Sequence, residues 1–223
     1  MKYRNMSRQA GFTLVEIAIV LVIIGLLLGG VLKGQEMIEN AKIKNIANDM
    51  KGVSAAYYAY LDRYKAIPGD DANASTRFTG AVNGGGNGVI AGAYNSVLAP
   101  APANESINFW QHTRLAGFLS GAATATTAPA PNHALGGILG VQAPVSTYGM
   151  TGAVVCAGTV SWKIAQALDI MLDDGNSATG SVRAGAAGGA NLATVAAVSN
   201  VYGPAIAATA ALEAGQHTIC MKL

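Results

Sequence analysis

An α+β fold is predicted for this 223-residue chain: one very long N-terminal helix, then a head of short helices and strands. Three observations carry the prediction. Residues 11–30 read GFTLVEIAIVLVIIGLLLGG, an apolar run of membrane-crossing length. Beyond it, Ile43, Ile46, Met50, Val53, Tyr57, Tyr60 and Tyr64 recur at spacings of three and four, which marks one face of an amphipathic helix. After Pro68 the chain turns to Gly, Ala, Thr and Asn, with short apolar segments bounded by turn residues.

The first element spans the apolar run. As a helix, residues 12–32 would be about 32 Å long, against a hydrocarbon core of about 30 Å. Lys2, Arg4 and Arg8 precede the run. The positive-inside rule then places the N-terminus in the cytoplasm and the rest of the chain across the membrane. An ordinary secretory signal has its apolar region before the cleavage site. Here a short basic leader ends at Gly11 and the apolar run follows directly, with no charge from Ile17 to Leu32. Gly25 and Gly29, and Gly30 and Gly34, are four apart, a spacing that lets helix backbones approach closely. Glycine is also common in membrane helices and weakens helix, so residues 25–34 could extend locally. One carboxylate, Glu16, sits at the head of the run, where an ionised group in lipid is costly.

The helix is expected to continue to about residue 66, roughly 80 Å in all, and to end at Ile67-Pro68-Gly69. Lys42, Lys44, Asn48, Asp49, Lys51 and Asp62 lie off the apolar stripe, whose greasy face needs a partner. A stalk coiled coil would need a cleaner and longer heptad.

Beyond the helix the expected elements are short. Residues 80–104 hold GGGNG and PAPAN and read as loop. Ser106 to Phe118 reads as a helix with Ile107, Trp110 and Leu115 on its apolar side. Residues 120–147 are rich in Ala, Thr, Gly and Pro. Thr151 to Val160 has strand character around Val154 and Val155, and Ser161 to Leu172 carries Ile164, Leu168 and Met171 at helical spacing. Asp173-Asp174-Gly175-Asn176 stops that helix, and Ser181 to Ala184 and His217 to Leu223 are candidate strands.

Charge and motifs exclude several functions. Without residues 1–11 the chain keeps 11 basic and 12 acidic residues, and from Ala66 onward five basic and seven acidic. That is not the basic stripe of a nucleic-acid binder, so no nucleic-acid partner is expected. His112, His133 and His217 are scattered, without HExxH or CxxC spacing, and neither GxSxG nor a phosphate loop is present. An enzyme and a cofactor are therefore not expected. Cys156 and Cys220 are the two cysteines. If the apolar run sends the head out of the cytoplasm, a disulfide between them is the default, the alternative being two separate buried thiols.

Gly11-Phe12-Thr13-Leu14-Val15-Glu16, after a basic leader and before a long apolar helix, resembles the class III signal of type IV prepilins and type II secretion pseudopilins. The resemblance is strongest over residues 1 to about 65; IPGDD, INFWQH and LDDGNSATGSVRA are similar to segments of some prepilin-type proteins. It implies cleavage after Gly11 by a prepilin peptidase, N-methylation of Phe12, and Glu16 as position five of the mature chain. The new ammonium at Phe12 of one copy can then pair with Glu16 of a neighbour, or within one chain before assembly. It further implies a leader at 1–11, a transmembrane helix and filament core at 12–33, an amphipathic helix at 34–66, and a head at 67–223 in which an antiparallel sheet covers the greasy face. The implied function is a structural subunit of a type IV pilus-like filament, with a minor pilin or a pseudopilin with a binding head as the alternative. Its partners would be other pilin subunits, the prepilin peptidase, the inner membrane and the assembly platform. The precursor would sit in the inner membrane with its head in the periplasm, and the assembled subunit at the cell surface.

Two departures and one extension complete the comparison. Many family members carry a proline where this chain has Lys33, so a kink there is not implied. A Cys156–Cys220 bridge resembles the disulfide-bounded C-terminal region of pilins, which major pseudopilins usually lack. Pseudopilins often hold calcium, for which Asp70, Asp71, Asn83 and Asn87, or Asp173, Asp174 and Asn176, offer oxygens. Calcium favours several carboxylates, and these residues are equally ordinary turn formers, so no metal is expected.

Overall fold

A computed structural model describes residues 13–124, 126–143, 149–185 and 217–223. Among them the elements run α1 (Leu14–Tyr64), α2 (Ala74–Arg77), α3 (Glu105–Leu115), β1 (Leu139–Gln142), β2 (Val154–Val160), α4 (Trp162–Leu172), β3 (Val182–Gly185) and β4 (His217–Lys222). The fold is α+β: a long N-terminal helix with a small antiparallel sheet, consistent with a pilin-like fold. The chain divides into two compact units, Met1–Ala41 and Lys42–Leu223.

The described part of the first unit is helix. An 18-residue window of α1 has a mean hydropathy of 2.8, and none of it is buried. Residues 25–34 are helical in spite of four glycines, and a Cβ added at Gly25, Gly29, Gly30 or Gly34 would meet nothing within 4 Å. The helix stops at Tyr64, two residues short of the expected end. Lys65 takes a left-handed φ of 52° and donates its N–H to the Leu61 carbonyl at 2.9 Å, the αL form of helix termination. The stop is thus made before Pro68 is reached.

In the second unit the apolar stripe of α1 is buried as expected. Ile43, Ile46, Met50, Val53, Tyr57 and Tyr60 are at most 9% exposed, and Tyr64 is half-buried. The off-stripe residues Lys42, Lys44, Asn48, Asp49, Lys51 and Asp62 are exposed. The stripe shares one core with Phe109 and Trp110 of α3, Ile164 and Leu168 of α4, and Val141, Val155, Ala157, Val182 and Ile219 of the sheet. Burying a large apolar side chain contributes about 2 kcal/mol, so this seam is the main reason the second half of α1 stays with the head.

The sheet order is β1-β2-β4-β3, antiparallel throughout. Side chains of β2 alternate between two clusters. Val155 and Ala157 enter the main core, while Val154 and Cys156 join Cys220, Tyr94 and Met150 on the other face. Both faces are covered, which is why VVCA reads as a continuous apolar run. Glycine is required where Tyr94 crosses the sheet: a Cβ at Gly140 or Gly158 would collide with it. Cys156 lies directly opposite Cys220 in the β2–β4 register, and the two are disulfide-bonded, with Cα atoms 4.0 Å apart.

Register slips between Ala157 and Val160, where exposed Thr159 has a φ of 64°. A β-branched residue there is strained. Thr159→Gly is therefore expected to stabilise the protein by about 1 kcal/mol, whereas Thr159→Val brings no gain. Urea midpoints of the three proteins check this.

Three sequence expectations shift. β1 arises inside the Ala/Thr/Gly/Pro-rich stretch, because four residues beside β2 suffice to pair. α3 is buried nearly all round rather than on one side: besides Ile107 and Trp110 it buries Glu105, Asn108, Gln111 and His112. Met171 is 43% exposed, and α4 packs instead through Ile164, Ala165 and Leu168.

Candidate functional site: the start of the long helix

Gly11 and Phe12 lie outside the described residues. The first described group, Thr13, precedes the first turn of α1. Its N–H and its hydroxyl both donate to Glu16 Oε2 at 2.8 Å, and the Glu16 N–H donates back to Thr13 Oγ1 at 3.3 Å. This is a reciprocal capping box, which satisfies helix-end donors that lipid could not. It also places a negative charge at the positive end of the helix dipole. Thr13 is a functional residue the sequence reading missed, although Thr13-Leu14-Val15-Glu16 is itself the T-x-x-E signal. Both side chains are exposed, as are Leu14, Val15, Leu26 and Leu27 beyond them, so the surface from Thr13 to Leu32 has no partner within the described chain.

The head's polar residues have work inside the head. Asp70 accepts the N–H groups of Asn87 at 3.0 Å and Gly88 at 2.6 Å. Glu105 accepts those of Gly85 at 2.6 Å and Ala91 at 2.7 Å. These two carboxylates fold the 83–91 loop over α3, which explains a helix with a buried polar side. Gln111 accepts from Val82 N–H and donates to the carbonyls of Gly80 and Thr124. Asp71 accepts from the Tyr60 hydroxyl at 2.8 Å, from the Asn73 N–H and from Arg77. Burial alone would raise the Asp71 pKa, but these donors outweigh it and hold the carboxyl below its usual range. Asn83 and Asn87 accept from the N–H groups of Ser75 and Val89. All four side chains considered for calcium at this end therefore accept hydrogen bonds within the head.

At the other end, Asp169, Asp173 and Asp174 each bring a carboxylate oxygen within 4.8 Å of the others and could hold a cation. Asp173 accepts from the N–H groups of Ser181 and Val182, Asp174 from Asn176 N–H and Thr179 Oγ1, and Asn176 from Ala178 N–H.

The histidines are buried structural groups. His112 Nδ1 accepts from Gly69 N–H at 2.9 Å, so its protonated Nε2 donates to the Val82 carbonyl at 2.7 Å. His133 repeats the pattern between Leu135 N–H and the Gly158 carbonyl. Burial lowers the pKa of His112, His133 and His217 below the ordinary 6.5. The unfolded chain therefore binds more protons than the native one as the pH falls below about 6.5. Their contribution is complete above that pH and is lost progressively on acidification. The thermal midpoint is expected to drop by several degrees between pH 7.5 and pH 5. His112→Gln, which keeps polar atoms but cannot titrate, should flatten part of that slope in a pH series of melts.

Residues 6–32 match the family model of the prokaryotic N-terminal methylation motif, the class III signal of type IV pilins. No curated protein and no solved structure matches the chain. The motif supports a type IV pilin-like or pseudopilin protein, a structural subunit rather than an enzyme. It implies assembly with other pilin subunits and processing by a prepilin peptidase. With the apolar helix it fits a membrane-anchored precursor that becomes part of a surface filament.

Proposed function

We propose that this chain is a structural subunit of a type IV pilus-like filament. A prepilin peptidase removes residues 1–11 after Gly11 and methylates the new N-terminus at Phe12. Residues 12–33 hold the precursor in the inner membrane, with the N-terminus cytoplasmic and the head periplasmic, and later form the filament core. Residues 34–66 join this segment to the head, 67–223, which becomes the filament surface. Other copies of the chain and the assembly platform are its partners.

The observation that carries this reading is the methylation motif, residues 6–32, running into a helix whose apolar window is entirely unburied. Such a surface is stable only in lipid or against other helices. Glu16 supports assembly by pairing with the Phe12 ammonium of a neighbouring copy, since two charges in an apolar bundle cost less together than apart. The disulfide favours a pilin over a pseudopilin and an oxidising compartment for the head.

The test is intact-mass and N-terminal peptide mass spectrometry on sheared surface filaments. An abundant chain that begins at methylated Phe12 and carries the Cys156–Cys220 bridge is expected. A processed chain found at trace level, or in the inner membrane alone, would favour a minor pilin or pseudopilin. A functioning protein that retains residues 1–11 would overturn the reading.

A further inference from the structure

The head holds a cleft of about 290 Å³ between α1, α3, β1 and the loops that join α3 to β1. All of its lining lies in the second compact unit. The size is close to the lower end of small-ligand sites, about 300–1,000 Å³. Val53, Trp110 and Leu139 give it a buried apolar wall. Gly52 of α1 lines it too. Glycine weakens a helix, and nothing crowds this one: an added Cβ would meet no atom within 4 Å. Packing does not require a glycine there; its effect is to leave the cleft open.

Two opposite charges, Arg114 and Asp49, line the same cleft. Arg114 is held in place. Its Nε donates to the Ser120 carbonyl at 3.2 Å and its Nη1 to the Ala122 carbonyl at 3.0 Å. Its guanidinium carbon lies 5.4 Å from the centre of the Trp110 ring, and a Cβ on Gly121 would stand 2.7 Å from Nε. Carbonyls and an aromatic face ease the charge without neutralising it. Asp49 makes no hydrogen bond among the described residues, and neither group forms an ion pair among them. Yet both have lost water. Partial burial pushes the Asp49 carboxyl above its ordinary value, more than His133 pulls it down, and burial moves the Arg114 guanidinium below its own. A charge that loses water without gaining a counter-charge is destabilised, and a ligand that supplies one is favoured.

We propose that this cleft binds a small zwitterion of the α-amino-acid class, with its carboxylate on Arg114, its ammonium on Asp49 and an apolar side chain against Val53, Trp110 and Leu139. A simple anion would answer Arg114 but meet repulsion from Asp49, and a simple cation the reverse. A neutral polyol would leave both charges without a counter-charge. A zwitterion answers both, through charge-assisted hydrogen bonds to a guanidinium already fixed in place. The proposal goes beyond the filament reading and does not depend on it.

Isothermal titration calorimetry of L-leucine and L-phenylalanine into the detergent-solubilised full chain tests it. Saturable binding of at least one of them to one site per chain is expected, with a Kd of about 1 mM or tighter. For leucine, 4-methylpentanoate lacks the ammonium and 3-methylbutylamine lacks the carboxylate. Each should bind at least about tenfold more weakly, because each leaves one charge of the cleft unanswered. Asp49→Asn should weaken amino-acid binding at least about tenfold with the thermal midpoint unchanged, since that carboxylate bonds to nothing else among the described residues. Gly52→Leu should abolish binding without lowering the midpoint, because leucine favours helix and occupies the open space. No saturable binding of either amino acid, equal affinity for the single-charge analogues, or unchanged affinity in Asp49→Asn or Gly52→Leu would each overturn the proposal. Binding of glucose where both amino acids fail would overturn it in favour of a neutral polyol.

Discussion

Glu16→Ala should leave a protein that is cleaved and membrane-bound but yields at least tenfold fewer filaments. The carboxylate has two roles that the structure allows to be separated. It closes the capping box with Thr13, and in the proposed filament it neutralises the Phe12 ammonium of a neighbour. A cap contributes to helix formation at one end only, and a helix of 51 residues in an apolar medium survives its loss. An ammonium left alone among packed apolar helices is a far larger penalty, because neither water nor a counter-charge is at hand. Thr13→Val is the control: it removes the hydroxyl from the cap and leaves the carboxylate in place. Filament yield from Thr13→Val is expected to fall much less than from Glu16→Ala. Equal losses would assign the role of Glu16 to the cap, and wild-type yield from Glu16→Ala would remove the pairing from the account. Peptide mass spectrometry of the membrane fraction checks that processing is intact in both.

Replacing both cysteines, Cys156→Ala with Cys220→Ala, is the largest expected effect on the head. The bridge joins residues 64 apart in sequence, and closing a loop of that length constrains the unfolded chain by roughly 4 kcal/mol in the chain-entropy picture. That is a large part of the 5–15 kcal/mol or so by which domains are usually stable. The loss is local as well, since both cysteines are fully buried beside Val154, Tyr94 and Met150. The bridge also staples β2 to β4, the central pair of the four-stranded sheet. A fall in the thermal midpoint of about 10 °C is expected, measured on detergent-solubilised protein, with reduced wild type behaving like the double variant. An unchanged midpoint on reduction would mean that the β2–β4 pairing holds without covalent help.

The N-terminal half was legible because its signals are local. Membrane length is a count of apolar residues, and the buried stripe from Ile43 to Tyr60 is a period along one helix. Helix termination was read less well: Pro68 was the visible stop, but the chain ends α1 earlier with a left-handed Lys65, which no glycine announced. The Thr13-x-x-Glu16 cap is a local signal too, embedded within the stronger motif around it. In the head, β2, β3, β4 and α4 were recognisable because each contains a few β-branched or regularly spaced apolar residues. β1 was not, because LGVQ is four residues long and acquires its identity only by lying against β2.

By itself, then, the sequence determined the long helix, its apolar and amphipathic halves, the methylation motif at its start and the approximate strand positions. Each follows from the chemistry of neighbours along the chain, where hydrogen bonds close within a turn and side chains repeat with a fixed period. Tertiary structure alone decided the strand order, the opposition of Cys156 to Cys220, and the buried polar side of α3. Asp70, Glu105, Gln111 and His112 look like surface residues in one dimension, and only folding brings them the backbone groups of the 80–91 loop. A buried polar group must find its partner, and when that partner lies twenty or forty residues away no local pattern records it.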